Sequence, residues 1–291
     1  MIVLARGTKQ VKSLRQIIEG LPPKSGTKAP RVSLERYTAE RFKKKDKFLK
    51  ENSRLAARRR EVILGNISKD DSRLKQLSNE RKALIEQRNR QKIERPKPLE
   101  IEERVIIGSI QRIAVPPYDD AWSWQSSTGT QAQANKGTGA CDLAVQSYGA
   151  GGRGVAAGVA SWFFAAQDNP MQRFAAIVQY SYDWWDDADL YVAHNDLTTK
   201  IGIWGFTENR WVMTSGVSPG WSDGVGWEES HGQNDSDSVP IETFFPATAN
   251  NWYSAWIWSN ASVFADRGGF FFSDSSIQFH SVIPYVVFGS L

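Results

Sequence analysis

The stretch "WYSAWIWSN", residues 252–260, decides what kind of fold this chain adopts. On an extended backbone Trp252, Ser254, Trp256 and Trp258 fall on one side, and Tyr253, Ala255 and Ile257 on the other, because successive side chains of a strand point to opposite faces. The same texture extends in both directions. From Glu103 onward, runs of this kind at 104–115, 141–148, 154–167, 173–184, 199–207, 210–216, 241–247, 252–265, 268–275 and 277–289 are punctuated by Gly, Ser, Thr, Asn and Asp. Such runs read as strands. No helical pattern separates them, so the crossovers that a parallel sheet requires are missing and two antiparallel sheets packed face to face are expected. Residues 220–240, "GWSDGVGWEESHGQNDSDSVP", are polar and long, and read as a loop at one end of the sandwich.

Charge divides the chain at the same place. Residues up to Arg104 hold 29 Lys and Arg against 14 Asp and Glu, a net of +15, whereas the remainder holds 7 against 18, a net of −11. All twelve tryptophans lie in the acidic part. In the basic part, "GTKQVKSLRQIIEGLPP" (7–23) reads as a short helix with Val11, Leu14, Ile17 and Ile18 on one face, stopped by Gly20 and Pro22-Pro23. A Pro/Lys linker follows. Residues 33–63 form a long helical pattern in which Leu34, Phe48, Leu55 and Val62 recur at sevens or multiples of seven, with Phe42 and Leu49 beside them and Arg41 interrupting. A second helix over about 70–93 carries Leu74, Leu77, Leu84 and Ile85 and ends at "RPKPLE". The organisation read from these features is a short basic helix and linker (1–30), a basic helical hairpin or coiled-coil arm (31–98), and a Trp-rich acidic sandwich (99–291). The fold class is mainly β with an α-helical N-terminal region, an antiparallel, jelly-roll-like β-sandwich preceded by that arm.

Several function classes are disfavoured. Cys141 is the single cysteine, which excludes an internal disulfide framework. The longest apolar run, 154–166, is too short for a membrane-spanning helix. The N-terminus lacks a secretory signal pattern, which predicts a soluble protein, cytoplasmic at synthesis, with export left to a non-classical route. No G-x-S-x-G occurs, and His194, His231 and His280 have no zinc spacing, so a non-enzymatic role is expected. The clusters Lys43, Lys44, Lys45 and Arg58, Arg59, Arg60 read as arm contacts with protein rather than nucleic acid, since acids are interleaved at i,i+4 and no nucleic-acid module is present.

The candidate binding residues concentrate in "SYDWWDDADLYVAHND" (181–196) and the polar stretch after Gly220. Tyr180, Tyr182 and Trp184 share one strand face, which assigns Trp184 to the core and leaves Trp185 at the rim. Trp185, Asp186, Asp187, His194, Asn195, Trp221, Asp223 and Trp227 form the predicted ligand site, with rings to stack on sugar C–H faces and carboxylates and amides for hydroxyls. Asp183, Asp187 and Asp189 are a weak calcium candidate, because hard oxygens are present but the loop order of a calcium site is not. No other cofactor is expected. These residues predict a binding or adhesion protein whose sandwich recognises a glycan or protein surface and whose arm anchors or oligomerises it. The alternatives are a structural subunit assembling head-to-tail through basic arm and acidic sandwich, and a toxin or effector with a basic loading segment.

Overall fold

The computed structural model describes residues 28–64, 79, 83, 109–188, 192–226, 229–268 and 271–290, with the side chains of 56–64 and of Ser109, Glu229, Arg267, Gly268, Phe271 and Phe272 left out. The expected short helix of residues 7–23 and the second arm helix, apart from helical Asn79 and Ala83, lie outside the described residues.

The chain folds as an antiparallel β-sandwich with one long helix, α1 (Lys28–Leu64), in front of it. The strands are β1 (Ser109–Ala114), β2 (Asp120–Gln125), β3 (Gln131–Asn135), β4 (Ala140–Tyr148), β5 (Gly151–Ala165), β6 (Asn169–Ala188), β7 (Val192–Gly205), β8 (Arg210–Gly226), β9 (Glu229–Ala247), β10 (Asn251–Ala265), β11 (Arg267–Gly268), β12 (Phe271–Val282) and β13 (Val286–Ser290). One sheet has the order β2-β5-β10-β7-β8. The other runs β1-β13-β6-β12-β4-β3, with β9 on the free side of β6 and β11 on β12. Their facing sides form one core, to which Leu143, Phe174, Ile201, Tyr253, Ile257 and Phe279 contribute fully buried or nearly fully buried side chains. A sheet of this kind is stabilised by burying one apolar face of each layer against the other.

Two sequence expectations change here. Residues 220–226 and 229–240 are not a loop: they belong to the distal halves of β8 and β9, paired with β7 and β6 respectively. Both strands lie at sheet edges, so many of their side chains are wetted on either face and the hydrophobic alternation that announces a strand is erased; the ladder hydrogen bonds to β6 and β7 supply the order instead. Strands β2 and β3 are additions to the expected set, although Trp122 and Trp124 alternate with Ser123 in β2. The alternation read in 252–260 does hold. Tyr253, Ala255 and Ile257 enter the inter-sheet core, while Trp256 and Trp258 lie on the outer face.

That outer face is covered by α1. Leu34 is buried against Trp122, Ala156, Ala160, Trp256 and Trp258, and Phe42 meets Trp124 edge-on with ring centroids 5.9 Å apart. Polar contacts run along the same helix face. Arg31 Nε donates to Asp120 at 3.0 Å, Trp211 Nε1 to Ser33 Oγ at 2.8 Å, Thr38 bonds Asn260 at 3.2 Å, and Ser53 bonds Asp266. Arg41 donates to Thr198 at 2.8 Å, and Lys45 pairs with Asp196 at 2.8 Å.

The seven-residue stripe is therefore the docking face only at its N-terminal end: Leu34 is buried, whereas Phe48 and Leu55 are 60% and 59% exposed. The face that docks is Leu34, Thr38, Arg41, Phe42, Lys45, Leu49 and Ser53, spaced at threes and fours, and it is too polar to be recognised by an apolar stripe. Arg41, which interrupts the stripe, is one of the contacts. Lys45 is likewise turned toward the chain's own sandwich, whereas Lys43 and Lys44 are exposed. Arg58, Arg59 and Arg60 continue the backbone of α1, and their side chains lie outside the described residues. Leu34→Ala is expected to lose about 2–5 kcal/mol in chemical denaturation, while Phe48→Ala stays within about 0.5 kcal/mol of wild type. The reverse order would place Phe48, not Leu34, against the sandwich.

Candidate functional site

At the β8/β9 side of the sandwich, where each sheet ends in an edge strand, residues of β6, β8 and β9 line an open groove. Tyr180, Tyr182 and Trp184, alternate residues of β6, line its floor. Trp221 from β8 closes the opposite wall, and Gln233 and Asp237 from β9 supply polar groups. The rings form a continuous series. Tyr180 and Tyr182 stack at 6.1 Å, Tyr182 meets Trp221 at 4.7 Å, and Trp184 stacks on Trp221 at 6.5 Å. Period-two alternation puts the β6 rings in one row. Trp221 reaches them because β8 shifts register against β7 between Thr198↔Gly220 and Thr199↔Val217.

The groove is acidic. The Tyr180 hydroxyl is pushed above its usual range by burial and then by the charges of Asp237, Tyr182 and Asp235; that of Tyr182 is raised by burial and Asp235. Both therefore remain protonated donors at neutral pH.

Behind the groove lies a buried polar cluster that orients Trp221. Its indole Nε1 donates to Asn195 Oδ1 at 2.6 Å, and Asn195 Nδ2 donates to Asp186 Oδ2 at 2.8 Å. Asn195 and Asp186 are both 0% exposed. Burial lifts the Asp186 carboxyl to about 8, with hydrogen bonds from Ser275 and Asn195 pulling it down and Asp223 pushing it up. Its Oδ1 is buried without a hydrogen-bond partner. His194, next along β7, is held down at about 4 by burial and by the charge of Lys45, against the pull of Asp196 and Asp223. It is neutral at pH 7.

The predicted site residues separate into groups. Trp221 lines the groove. Asp186 and Asn195 stand behind it and cannot touch a ligand, because carboxyl and amide are enclosed by β7, β8 and β12 side chains. Trp185 points away from the groove, half-buried over Gly232, where an added Cβ would overlap the indole ring. Asp187 is buried and accepts from Ser230. Asp223 pairs with His231 at 3.1 Å on the surface, and Ser222 Oγ lies 3.5 Å from His194 Nε2. Trp227 lies outside the described residues, as does Asp189.

The calcium candidate does not assemble among the described residues. Asp183 and Asp187 are four residues apart on the extended strand β6, or about 13 Å, too far to share one ion. No described group of three or more His, Cys, Asp or Glu side chains is placed to hold a metal. His280 bonds Asp142 at 2.8 Å across the β12–β4 ladder. Cys141 is buried, and its thiol is pushed up to about 12 by burial and then by Asp142, which keeps it unreactive. Sequence reasoning misses Tyr180 and Tyr182 as site residues, and also Gln233 and Asp237. The shared face of Tyr180, Tyr182 and Trp184 is legible, but it reads as core because nothing local shows where the second sheet ends.

No protein-family model matches this sequence, and no curated protein matches it either. Solved structures match over part of this chain at low identity and low TM-score. The enzymatically active domain of tailspike protein 4 of bacteriophage CBA120 matches at 12% identity and a TM-score of 0.24, over 60% of this chain and 20% of that one. This chain thus spans about a fifth of that tailspike chain. The carbohydrate-binding module TmCBM61, solved in complex with beta-1,4-galactotriose, matches at 6% identity and a TM-score of 0.22, over 60% of this chain and 90% of that one. A structure of infectious bursal disease virus, Gx strain, matches at 11% identity and a TM-score of 0.14, over 65% and 47%. Among the described residues, no helix is long and apolar enough to cross a membrane.

Proposed function

We propose that this protein is a non-enzymatic glycan-binding or adhesion protein and that the groove between β8 and β9 is its binding site. One observation carries the reading: four aromatic rings, Tyr180, Tyr182, Trp184 and Trp221, line a single open groove together with the Gln233 amide and the Asp237 carboxylate. Sugar rings offer apolar C–H faces to aromatic side chains and hydroxyls to amides and carboxylates, so an extended saccharide chain matches both kinds of group. Protonated Tyr180 and Tyr182 add two hydroxyl donors. No nucleophile-base pair is needed, and the groups supplied are those of recognition.

A glycan panel followed by titration calorimetry tests this reading. Tyr182→Ala and Trp221→Ala are each expected to weaken binding by about tenfold or more, the ~1.4 kcal/mol scale of a lost stacking ring. Trp185→Ala, which alters no groove wall, should bind as wild type. Absence of wild-type binding across the panel, or full binding by both groove variants, defeats the proposal.

Assembly through the arm is the second reading. It is favoured by the exposed Phe48 and Leu55 on the outer side of α1, beside exposed Lys43 and Lys44. Light scattering at low and high salt discriminates the two: a large species that dissociates in salt supports assembly, and a salt-independent monomer removes it. Part of the charge complementarity between arm and sandwich is used within the chain, at Arg31–Asp120, Arg41–Asp196 and Lys45–Asp196.

A further inference from the structure

Along the groove, rings and polar side chains stand in register. The β6–β9 ladder sets Tyr180 opposite Asp237, Tyr182 opposite Asp235 and Trp184 opposite Gln233. Directly opposed side chains of antiparallel strands are about 5 Å apart at Cβ, and the pattern repeats every two residues, about 6.8 Å. The floor is thus a double row, aromatic on β6 and acidic or amide on β9, faced by Trp221 of β8. Asp235 and Asp237 are exposed. Each is held through Oδ1 by the next backbone N–H, that of Ser236 or Ser238, at 2.7 Å. Their negative charge reaches the rings, opposing ionisation of Tyr180 and, for Asp235, of Tyr182.

Among the described residues no Lys or Arg lines the groove or pairs with either carboxylate. The acidic part of the chain holds seven Lys and Arg, and they are placed elsewhere. Arg112 bonds the Trp162 carbonyl, Arg153 that of Gln146, Arg173 pairs with Glu242, and Lys200 bonds Tyr37. Lys136 lies in the β3–β4 turn, Arg210 begins β8, and the Arg267 side chain lies outside the described residues. His231, the next same-face residue after Gln233 on β9, is paired with Asp223 at 3.1 Å.

We infer that the groove selects saccharides bearing ammonium groups, such as chains of glucosamine with free 2-amino groups, over neutral chains, and disfavours acidic ones. The inference rests on the reading of the groove as a glycan site and names its ligand class. An ammonium is attracted by the face of a Tyr or Trp ring and by a nearby carboxylate, and the double row offers both at successive steps. A neutral sugar can use the rings and the hydroxyl acceptors, but gains nothing from the charge. A sugar carboxylate meets like charge at Asp235 and Asp237, with no guanidinium or ammonium among the described lining residues to receive it.

Calorimetric titration at about pH 6 and low salt, with hexamers of glucosamine, N-acetylglucosamine and galacturonate, tests this. Wild type is expected to bind the glucosamine hexamer at least about fivefold tighter than the N-acetylated one, the scale of one exposed cation–π contact or ion pair. The galacturonate hexamer should bind weakest, and added salt should shrink the margin. Asp235→Asn with Asp237→Asn keeps the side-chain shape and the Oδ1 acceptor, and should bring the ratio of the first two hexamers toward one. A wild-type ratio of one or below, or a ratio that the double variant leaves unchanged, overturns the inference. Binding of the N-acetylated hexamer that is lost in Trp221→Ala would then leave the glycan reading standing. Absence of glucosamine-hexamer binding overturns the inference whatever else binds, and only the absence of every saccharide removes the glycan reading with it. A trimethyllysine peptide that binds more tightly than any saccharide would give the rings to a protein cation, and overturns the inference as well.

Discussion

In an equilibrium denaturant titration, Trp256→Ala is expected to lose about 3–5 kcal/mol of stability, the cost of truncating a fully buried aromatic residue. Trp256 is 0% exposed, enclosed by the sheet beneath and Leu34 above. Its register partners are Ala160 on β5 and Gly202 on β7. Small partners let the indoles of this face lie against the sheet; a Cβ at Gly202 would come within 2.8 Å of Trp211 and 2.9 Å of Trp258. Neither Ala160 nor Gly202 can expand into the space an alanine would leave, so the cavity persists. The Trp256 Nε1 has no hydrogen-bond partner, and the loss is therefore one of packing alone. Trp185→Ala, at a half-buried position over Gly232, should cost about 1 kcal/mol. Loss of near-ultraviolet circular dichroism from the Trp122, Trp256 and Trp258 cluster should accompany the first variant only. Equal losses in the two variants would contradict the assignment of Trp256 to the α1 interface.

A fall in stability between about pH 6.5 and 8 is the second large effect expected, and Asp186 is its source. Its carboxyl is raised from 3.8 to about 8 in the folded chain by burial. Between those values the folded state holds a proton that the unfolded state has released, so stability declines as pH rises through the window. His194 acts in the opposite sense: its value falls from 6.5 to about 4 on folding, so between these limits the unfolded state binds the extra proton and stability rises with pH. The two slopes offset one another from about pH 4 to 6.5. Of these two groups only Asp186 contributes above 6.5, and over the 1.5 units to pH 8 its share of the decline amounts to about 2 kcal/mol. Asp186→Asn should remove that decline, since an amide in the same place can accept from Asn195 and donate to Ser275 without ionising. Denaturant midpoints at pH 6.5, 7.25 and 8 measure it. A flat wild-type profile, or a decline that survives in Asp186→Asn, would show that the carboxyl is not held neutral. Because Asn195 also orients Trp221, the same series on glycan affinity reports whether ionisation of Asp186 disturbs the groove.

Parts of the candidate site are legible in the sequence. Composition selects Trp221, Asn195 and Asp186, and these three are joined by hydrogen bonds of 2.6 and 2.8 Å. Their roles are not legible. Asp186 and Asn195 look like ligand groups in a polar run, yet both are enclosed, because β12 and β8 pack over that end of β6 and β7. Strand parity separates Trp184 from Trp185 correctly, with Trp184 at 8% exposure within the core cluster. Parity says nothing about distance from a sheet edge, however, and so the same reasoning that places Trp184 inward cannot disclose that its row opens into a groove.

What the sequence by itself determined is local and periodic. Alternation at two residues sets strands such as β10, a run of helix formers sets α1, and the change from +15 to −11 separates the basic part from the acidic one. These follow from steric and charge preferences that act within a few residues. The tertiary structure alone decided which faces meet. Trp256 and Ile257 are equally apolar neighbours on β10, but one lies beneath α1 and the other enters the inter-sheet core. α1 docks through Thr38, Arg41, Lys45 and Ser53 because their partners, Asn260, Thr198, Asp196 and Asp266, are supplied more than 150 residues away. The polar ends of β8 and β9 become strands because β7 and β6 offer ladder partners to backbone groups, whatever their side chains. Backbone pairing and face-to-face burial depend on partners remote in sequence, and their energies exist only once the sheets are assembled.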